Sequence, residues 1–136
     1  MIASAIRVER FNAAHRLHNP NWSDQANKDF YGLCNNPNFH GHNYKLLVKV
    51  TGEVDSESGY LIDLKILKEI IRSEVTERFD HKNLNLDVED FSSLIPTAEN
   101  IAYVAWNRIN NKLDDKFDLH ITLYETERNI IEYDGK

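Results

Sequence analysis

Tyr44-Lys45-Leu46-Leu47-Val48-Lys49-Val50-Thr51-Gly52-Glu53-Val54 decides the fold class. Tyr44, Leu46, Val48 and Val50 share one face of an extended chain, and Lys45 and Lys49 share the other, which is the period of a half-buried strand. Upstream, residues 2–11 alternate in the same way through Ile6, Arg7, Val8, Glu9, Arg10 and Phe11, and predict a first strand. Downstream, Asp63 precedes a helical stripe of Leu64, Leu67, Ile71 and Val75 that ends near Phe79. Thr97, after Pro96, caps a second helix whose Ala98, Ile101, Ala102, Ala105, Trp106, Ile109 and Leu113 form a broad apolar face. Phe117 to Tyr124 and Ile130 to Tyr133 read as two more strands around the turn Thr126 to Asn129. The order β-β-α-α-β-β predicts an α+β domain, with a four-stranded antiparallel sheet carrying both helices on one face. No repeat or linker interrupts residues 1–136, so a single domain is expected.

The 136 residues are 41% hydrophobic, enough for one core without staples. Cys34 is the one cysteine. An intrachain disulfide is thereby excluded, and a reducing compartment, the cytoplasm, is expected. Met1 to Phe11 lacks the uninterrupted apolar run of about 7–15 residues that an export signal needs, and no transmembrane span is expected. A net charge of −6 argues against nucleic acid or an anionic membrane as partner. An anionic small substrate then requires a local positive site. One face and both edges of the predicted sheet have no covering element, so self-association is expected.

Between the first two strands lies a long connection carrying Trp22, Asn27, Gly32, Cys34, the run Asn35-Asn36-Pro37-Asn38 and then His40-Gly41-His42. Ser23 and Gly32 bracket a short helix within it, and loops of this length in compact domains are commonly functional. His40 and His42 project from the same side of an extended chain, with Gly41 leaving room between them. His15, in Phe11-Asn12-Ala13-Ala14-His15, reaches the same rim if the first two strands pair. Three neutral imidazoles suit Zn²⁺ and leave a fourth position for substrate. His18 and His120 have no such support and read as surface or packing residues.

Cys34 stands in a polar, asparagine-rich turn six residues before His40. Near a dication its thiolate is a competent base for a carbon acid, and a fourth metal ligand is the competing reading. In Asp80-His81 a carboxylate beside an imidazole can raise its basicity. Adjacent residues seldom pair, however, so Asp80 can equally orient something else or be a helix-terminal charge. Glu125 continues the parity of Phe117, Leu119, Ile121 and Leu123 and falls at the end of the inward row. A carboxylate there can accept two parallel N–H groups of a pterin or guanine in one planar contact. Alternatively, the strand has reached solvent by that position.

Taken in order, Phe11 to His18, Gly32 to Tyr44, Asp80 to Leu84, Thr97 to Asn100 and Tyr124 to Thr126 resemble the 6-pyruvoyl-tetrahydropterin synthase family nearly end to end. The resemblance implies a tunnelling fold, in which subunit sheets join into a trimeric barrel and two barrels stack as a homohexamer. It also implies one Zn²⁺ per subunit on His15, His40 and His42, Cys34 as the proton-abstracting base, and Asp80 and His81 as its relay pair, supplied across a subunit boundary. Glu125 becomes the pterin anchor, with Thr97 and Glu99 around the substrate. The implied lyase reaction converts 7,8-dihydroneopterin triphosphate into 6-pyruvoyl-tetrahydropterin with loss of triphosphate, a step of tetrahydrobiopterin biosynthesis.

Asn12, where many relatives carry a serine, and Ala98, where a second hydroxyl is expected, depart from the pattern and bear on substrate contacts. The receptors of the triphosphate are unassigned, Arg16, Lys28 and Lys82 being candidates, and the sequence leaves open whether Mg²⁺ accompanies it. Two rivals remain. One is 6-carboxy-tetrahydropterin synthase, which releases acetaldehyde and carries its cysteine closer to the His-Gly-His element. The other is a non-catalytic, zinc-stabilised oligomeric binding domain.

Overall fold

The first two strands run further than their alternation of apolar residues. In the computed structural model, which describes residues 1–136, β1 spans Ile2–His15 and β2 spans His40–Glu53. They pair antiparallel along their whole length, from Ile2↔Glu53 to His15↔His40. The extra rungs are polar or small, so the hydrophobic period is silent there while the backbone ladder continues. β4 (Asp118–Tyr124) pairs with β2, and β5 (Ile130–Tyr133) pairs with β4, both antiparallel.

A fifth strand corrects the expected four. Lys82–Asn83 forms β3, parallel to β1 through Ala13↔Lys82 and Ala14↔Asn83, so the sheet is mixed with order β3-β1-β2-β4-β5. Two polar residues carry no period-two signal. Their placement comes from outside the segment, where the His81 N–H donates to the Asn12 carbonyl at 2.6 Å and the Asn12 N–H donates to Asp80 Oδ1 at 2.8 Å.

The two expected helical stretches, after Asp63 and after Thr97, cover one face, and a further helix lies in the β1–β2 connection. α1 (Asp24–Tyr31) is capped by Ser23 and ends at Gly32, whose φ of 58° is cheap only for glycine. α2 (Leu64–Ile71) passes through a π turn at Arg72–Thr76 into α3 (Glu77–Phe79). Leu67, Ile71, Val75 and Phe79 are spaced by four residues, and on a regular α-helix each step of four drifts by about 40°. The wider turn cancels that drift, and all four side chains are fully buried. A short α4 (Leu84–Asp87) precedes α5 (Ala98–Asn110), which Thr97 caps by accepting the Asn100 N–H.

The core is one cluster of 22 buried residues between these helices and the inner rows of β1, β2 and β4. Phe11 stacks on Tyr44 with ring centroids 4.8 Å apart and meets Phe79 edge-on at 5.6 Å. Phe79 thus pins the end of the helical stretch to β1, and its truncation to alanine costs about 3–5 kcal/mol. The opposite sheet face is bare, with Ile6 and Val8 exposed, and β1 has no partner on its outer edge beyond the two β3 rungs. No helix is long and apolar enough to cross a membrane.

Candidate active site

The last rungs of the β1–β2 ladder assemble the site. His15 pairs with His40, and Ala13 pairs with His42, so the three imidazoles rise from the helix-covered face at one end of the sheet. One nitrogen from each lies within 4.8 Å of the other two, and the set could hold a metal ion. The rings stand edge to face, with centroids 4.6, 5.1 and 5.0 Å apart. Gly41 lets β1 approach this closely, since a Cβ there would stand 3.1 Å from the Ala13 carbonyl oxygen.

Protonation follows from the partners. A carbonyl can only accept, so the 2.7 Å contact from His15 Nδ1 to the Pro96 oxygen places the proton on Nδ1 and a lone pair on Nε2. That lone pair faces His40 Nε2 at 3.0 Å. If His40 donates across this gap, its buried Nδ1 lone pair has no donor; if it does not, two lone pairs face each other. His40 Nδ1 and His42 Nε2 are buried without hydrogen-bond partners. Such orphaned nitrogens carry a desolvation cost, and a shared cation relieves it for the nitrogens turned toward the cluster, so the residues present fit a metal.

Electrostatics agree. Burial, opposed by the Pro96 hydrogen bond and reinforced by His40 and His42, lowers the His15 pKa to about 4. Burial and His42 also lower that of His40, against the pull of Glu125. Both imidazoles are therefore neutral near pH 7, the state that ligates.

Around the histidines, Glu125 keeps its predicted inward parity, its Oε2 lying 4.0 Å from His15 Nε2. It borders a cleft of about 710 Å³ with His42, Arg10, Lys45 and Tyr124. Cys34 lies outside the three-nitrogen cluster, half-buried in a short 3₁₀ turn at Gly32–Asn35. Its carbonyl accepts from the Leu17 N–H at 2.9 Å. The next residue, Asn35, is buried and donates to the Leu17 carbonyl and to His18 Nδ1, while its own carbonyl accepts from Arg16 Nε. His18 is thus a packing residue. The cysteine turn is stapled to the segment that follows His15.

Asp80 and His81 do pair, contrary to the expectation for neighbours. Asp80 Oδ2 meets His81 Nδ1 at 2.9 Å because His81 takes a left-handed φ of 60° that folds its ring back. The Asn12 N–H is the main influence holding the Asp80 carboxyl below its usual range, and His81 adds to it. The His81 side chain is 84% exposed. Thr97 is half-buried with its oxygen engaged as the α5 cap, and Glu99 is exposed in the first turn.

The sequence reading missed three members of the site. Tyr44 is fully buried beneath the histidines, its hydroxyl 3.4 Å from His15 Nδ1. Burial, then the charges of Glu125 and Cys34, push its hydroxyl pKa upward. Its signal was present, since it continues the parity of His40 and His42. Asn35 read as turn composition, and the Pro96 carbonyl is a backbone group that leaves no residue signature.

A mixed sheet backed by helices, with three histidines gathered at one strand end, belongs to the tunnelling-fold class of pterin enzymes. The family model described as 6-pyruvoyl tetrahydropterin synthase matches residues 5–136. Similar proteins include the 6-pyruvoyl tetrahydrobiopterin synthases of Poecilia reticulata, 42% identical over 99% of this chain and 92% of that protein, and of Homo sapiens, 40% identical over 98% and 92%. The solved structure of Caenorhabditis elegans 6-pyruvoyl tetrahydropterin synthase superposes with a TM-score of 0.94 at 41% identity, covering 100% of this chain and 97% of that one. The chain belongs to the 6-pyruvoyl tetrahydropterin synthase family and is an enzyme of that kind.

Proposed function

We propose that the chain converts 7,8-dihydroneopterin triphosphate into 6-pyruvoyl-tetrahydropterin with elimination of triphosphate, using one Zn²⁺ per subunit. The observation that supports this most strongly is the trio His15, His40 and His42, three imidazoles on a rigid ladder with a carboxylate on one side and a thiol nearby. Zinc held there supplies Lewis acidity toward the hydroxyls of the substrate side chain.

The protein residues supply binding and proton transfer. Glu125 accepts two ring N–H groups in one planar contact and thereby sets the orientation of the pterin. Cys34, as thiolate, removes protons from the side-chain carbons, and Asp80 with His81 carries them onward from a neighbouring subunit. Thr97 and Glu99 border the pterin. The conversion is an internal hydrogen transfer followed by loss of triphosphate, so it balances without an external oxidant or reductant. Mg²⁺ travelling with the triphosphate is compatible with this scheme. The bare sheet face and open edges support a homohexamer built as a dimer of trimers, and the free thiol fits the cytoplasm.

Mass spectrometry of the products from zinc-loaded protein, beside a Cys34→Ala control, tests the proposal. A pyruvoyl product from the unaltered protein alone is expected. A carboxy product with acetaldehyde would move the chain to the carboxy-forming synthases, and no turnover would sink the catalytic reading in favour of a binding domain.

A further inference from the structure

The corner that leads into α5 is tied in an unusual way. Thr97 is the cap and Asn100 is the third helical residue, the position from which a glutamate normally reaches back to accept the N–H of the capping residue. Here the Thr97 N–H is already satisfied by the Ile95 carbonyl at 2.8 Å. The Asn100 side chain acts instead as a donor, its Nδ2 reaching the same Ile95 carbonyl at 2.8 Å, while the Asn100 N–H donates to Thr97 Oγ1 at 3.2 Å. The residues on either side of Pro96 are thus both immobilised. Pro96 itself is buried and has a ring-fixed φ, so its carbonyl has one direction left to point, and it meets His15 Nδ1.

The geometry points to Asn100 as a positioning residue for the metal centre: by donating to Ile95 it aims the Pro96 carbonyl, and the Pro96 carbonyl fixes His15 in the Nδ1–H tautomer with Nε2 free to ligate. This inference rests on the metal reading given above. His15 is 1% exposed, so no water replaces a lost acceptor. The neighbouring group is the Tyr44 hydroxyl, at a loose 3.4 Å from Nδ1. With the clamp released, the carbonyl drifts and the ring is free to carry its proton on Nε2, which blocks ligation. Outer partners of this kind are typically worth roughly 10–100-fold in metal affinity. The role demands a donor, and therefore an asparagine rather than the acidic residue that helix capping alone would select.

That difference separates the two roles experimentally. Asn100→Glu restores an ordinary capping pair but cannot donate to Ile95, whereas Asn100→Ala loses both. The measurements are Zn²⁺ affinity by competition with a chromophoric chelator, thermal unfolding of the metal-free protein, and ¹⁵N chemical shifts of the His15 imidazole in the metal-free protein. Expected are a metal-free Asn100→Glu that unfolds within a few degrees of wild type, a loss of roughly 10–100-fold in Zn²⁺ affinity for both variants, and a shift of His15 from Nδ1–H toward Nε2–H. Zinc affinity within about twofold of wild type in both variants, or a wild-type His15 already in the Nε2–H form, would overturn the inference. If wild type binds no zinc, the metal reading itself fails, and an unchanged His15 tautomer in the variants overturns the positioning role separately.

Discussion

The molecule carries two histidine arrangements built in opposite ways. His15, His40 and His42 are set by antiparallel rungs, and His15 is buried with a carbonyl fixing its proton. Asp80 and His81 sit on a two-residue bend after α3, joined to β1 through the Asn12 backbone, with the imidazole almost wholly in solvent. On the proposed reading, one chain finishes the metal-binding half by itself and turns the proton-handling half outward. If the pair is the relay proposed, its exposure is unsuited to work in isolation, because catalysis in water-excluded surroundings is where a positioned acid or base gains its advantage. The contrast supports the proposal that the completed site lies between subunits.

The sharpest way to break the comparison is to remove a ligand. His42→Ala should abolish turnover and weaken Zn²⁺ binding more than a hundredfold, beyond the roughly 10–100-fold expected of an outer partner; near-normal binding in a chelator titration would show that the trio does not act as one site. Next in size, Cys34→Ala should lower turnover by roughly 10²–10⁴ with zinc affinity retained, and a matching collapse in affinity would make the thiol a ligand. His81→Asn tests the outward half. Asparagine tolerates the left-handed backbone at this position, so metal affinity and thermal stability should stay at wild-type values while turnover falls by about 10². If sites are shared in the proposed oligomer, assemblies reformed from mixed Cys34→Ala and His81→Asn subunits should regain activity that neither parent has, and the absence of any recovery would put the pair in the same subunit's site.

The smallest effect concerns pH and the metal-free protein. His15 has a pKa of about 4 when folded, against 6.5 for an exposed imidazole. Between these values the unfolded chain binds a proton that the folded chain refuses, so stability rises with pH across the window and is lost as pH falls through it. His15 alone contributes a loss on the order of 3 kcal/mol from about pH 6.5 to below 4. Urea midpoints of wild type and His15→Gln across that range measure it, and parallel curves for the two proteins would count against the burial argument.

Legibility in the sequence followed range and kind of interaction. Alternation from Tyr44 to Val50 and the Thr97 cap are local patterns, and both describe the observed elements. The histidine trio was visible because a His-x-His on a strand and a strand-end histidine need only one pairing to meet. What escaped was held by backbone groups or by distant partners. β3 exists because Asp80 and His81 grip Asn12, and the π turn answers a four-residue spacing that reads simply as helix. The buried asparagines Asn27 and Asn35 look like loop composition until their carbonyl partners are known. Asn27 closes its loop on both the N–H and the carbonyl of Asn19, and no residue pattern announces such a contact in advance.

The ladder that carries His15 and His40 ends at those residues, and the end of a two-stranded ladder is where opening begins. The ion proposed for the terminal rungs would then be a rivet as well as a reagent. Any ligand that binds the folded chain alone adds RT ln(1 + [L]/Kd) to its stability, about 2.7 kcal/mol at a hundred times Kd. On the proposed metal reading, the persistence of this fold is tied to the free zinc around it, so that metal scarcity loosens that end of the β-sheet and removes the chemistry together.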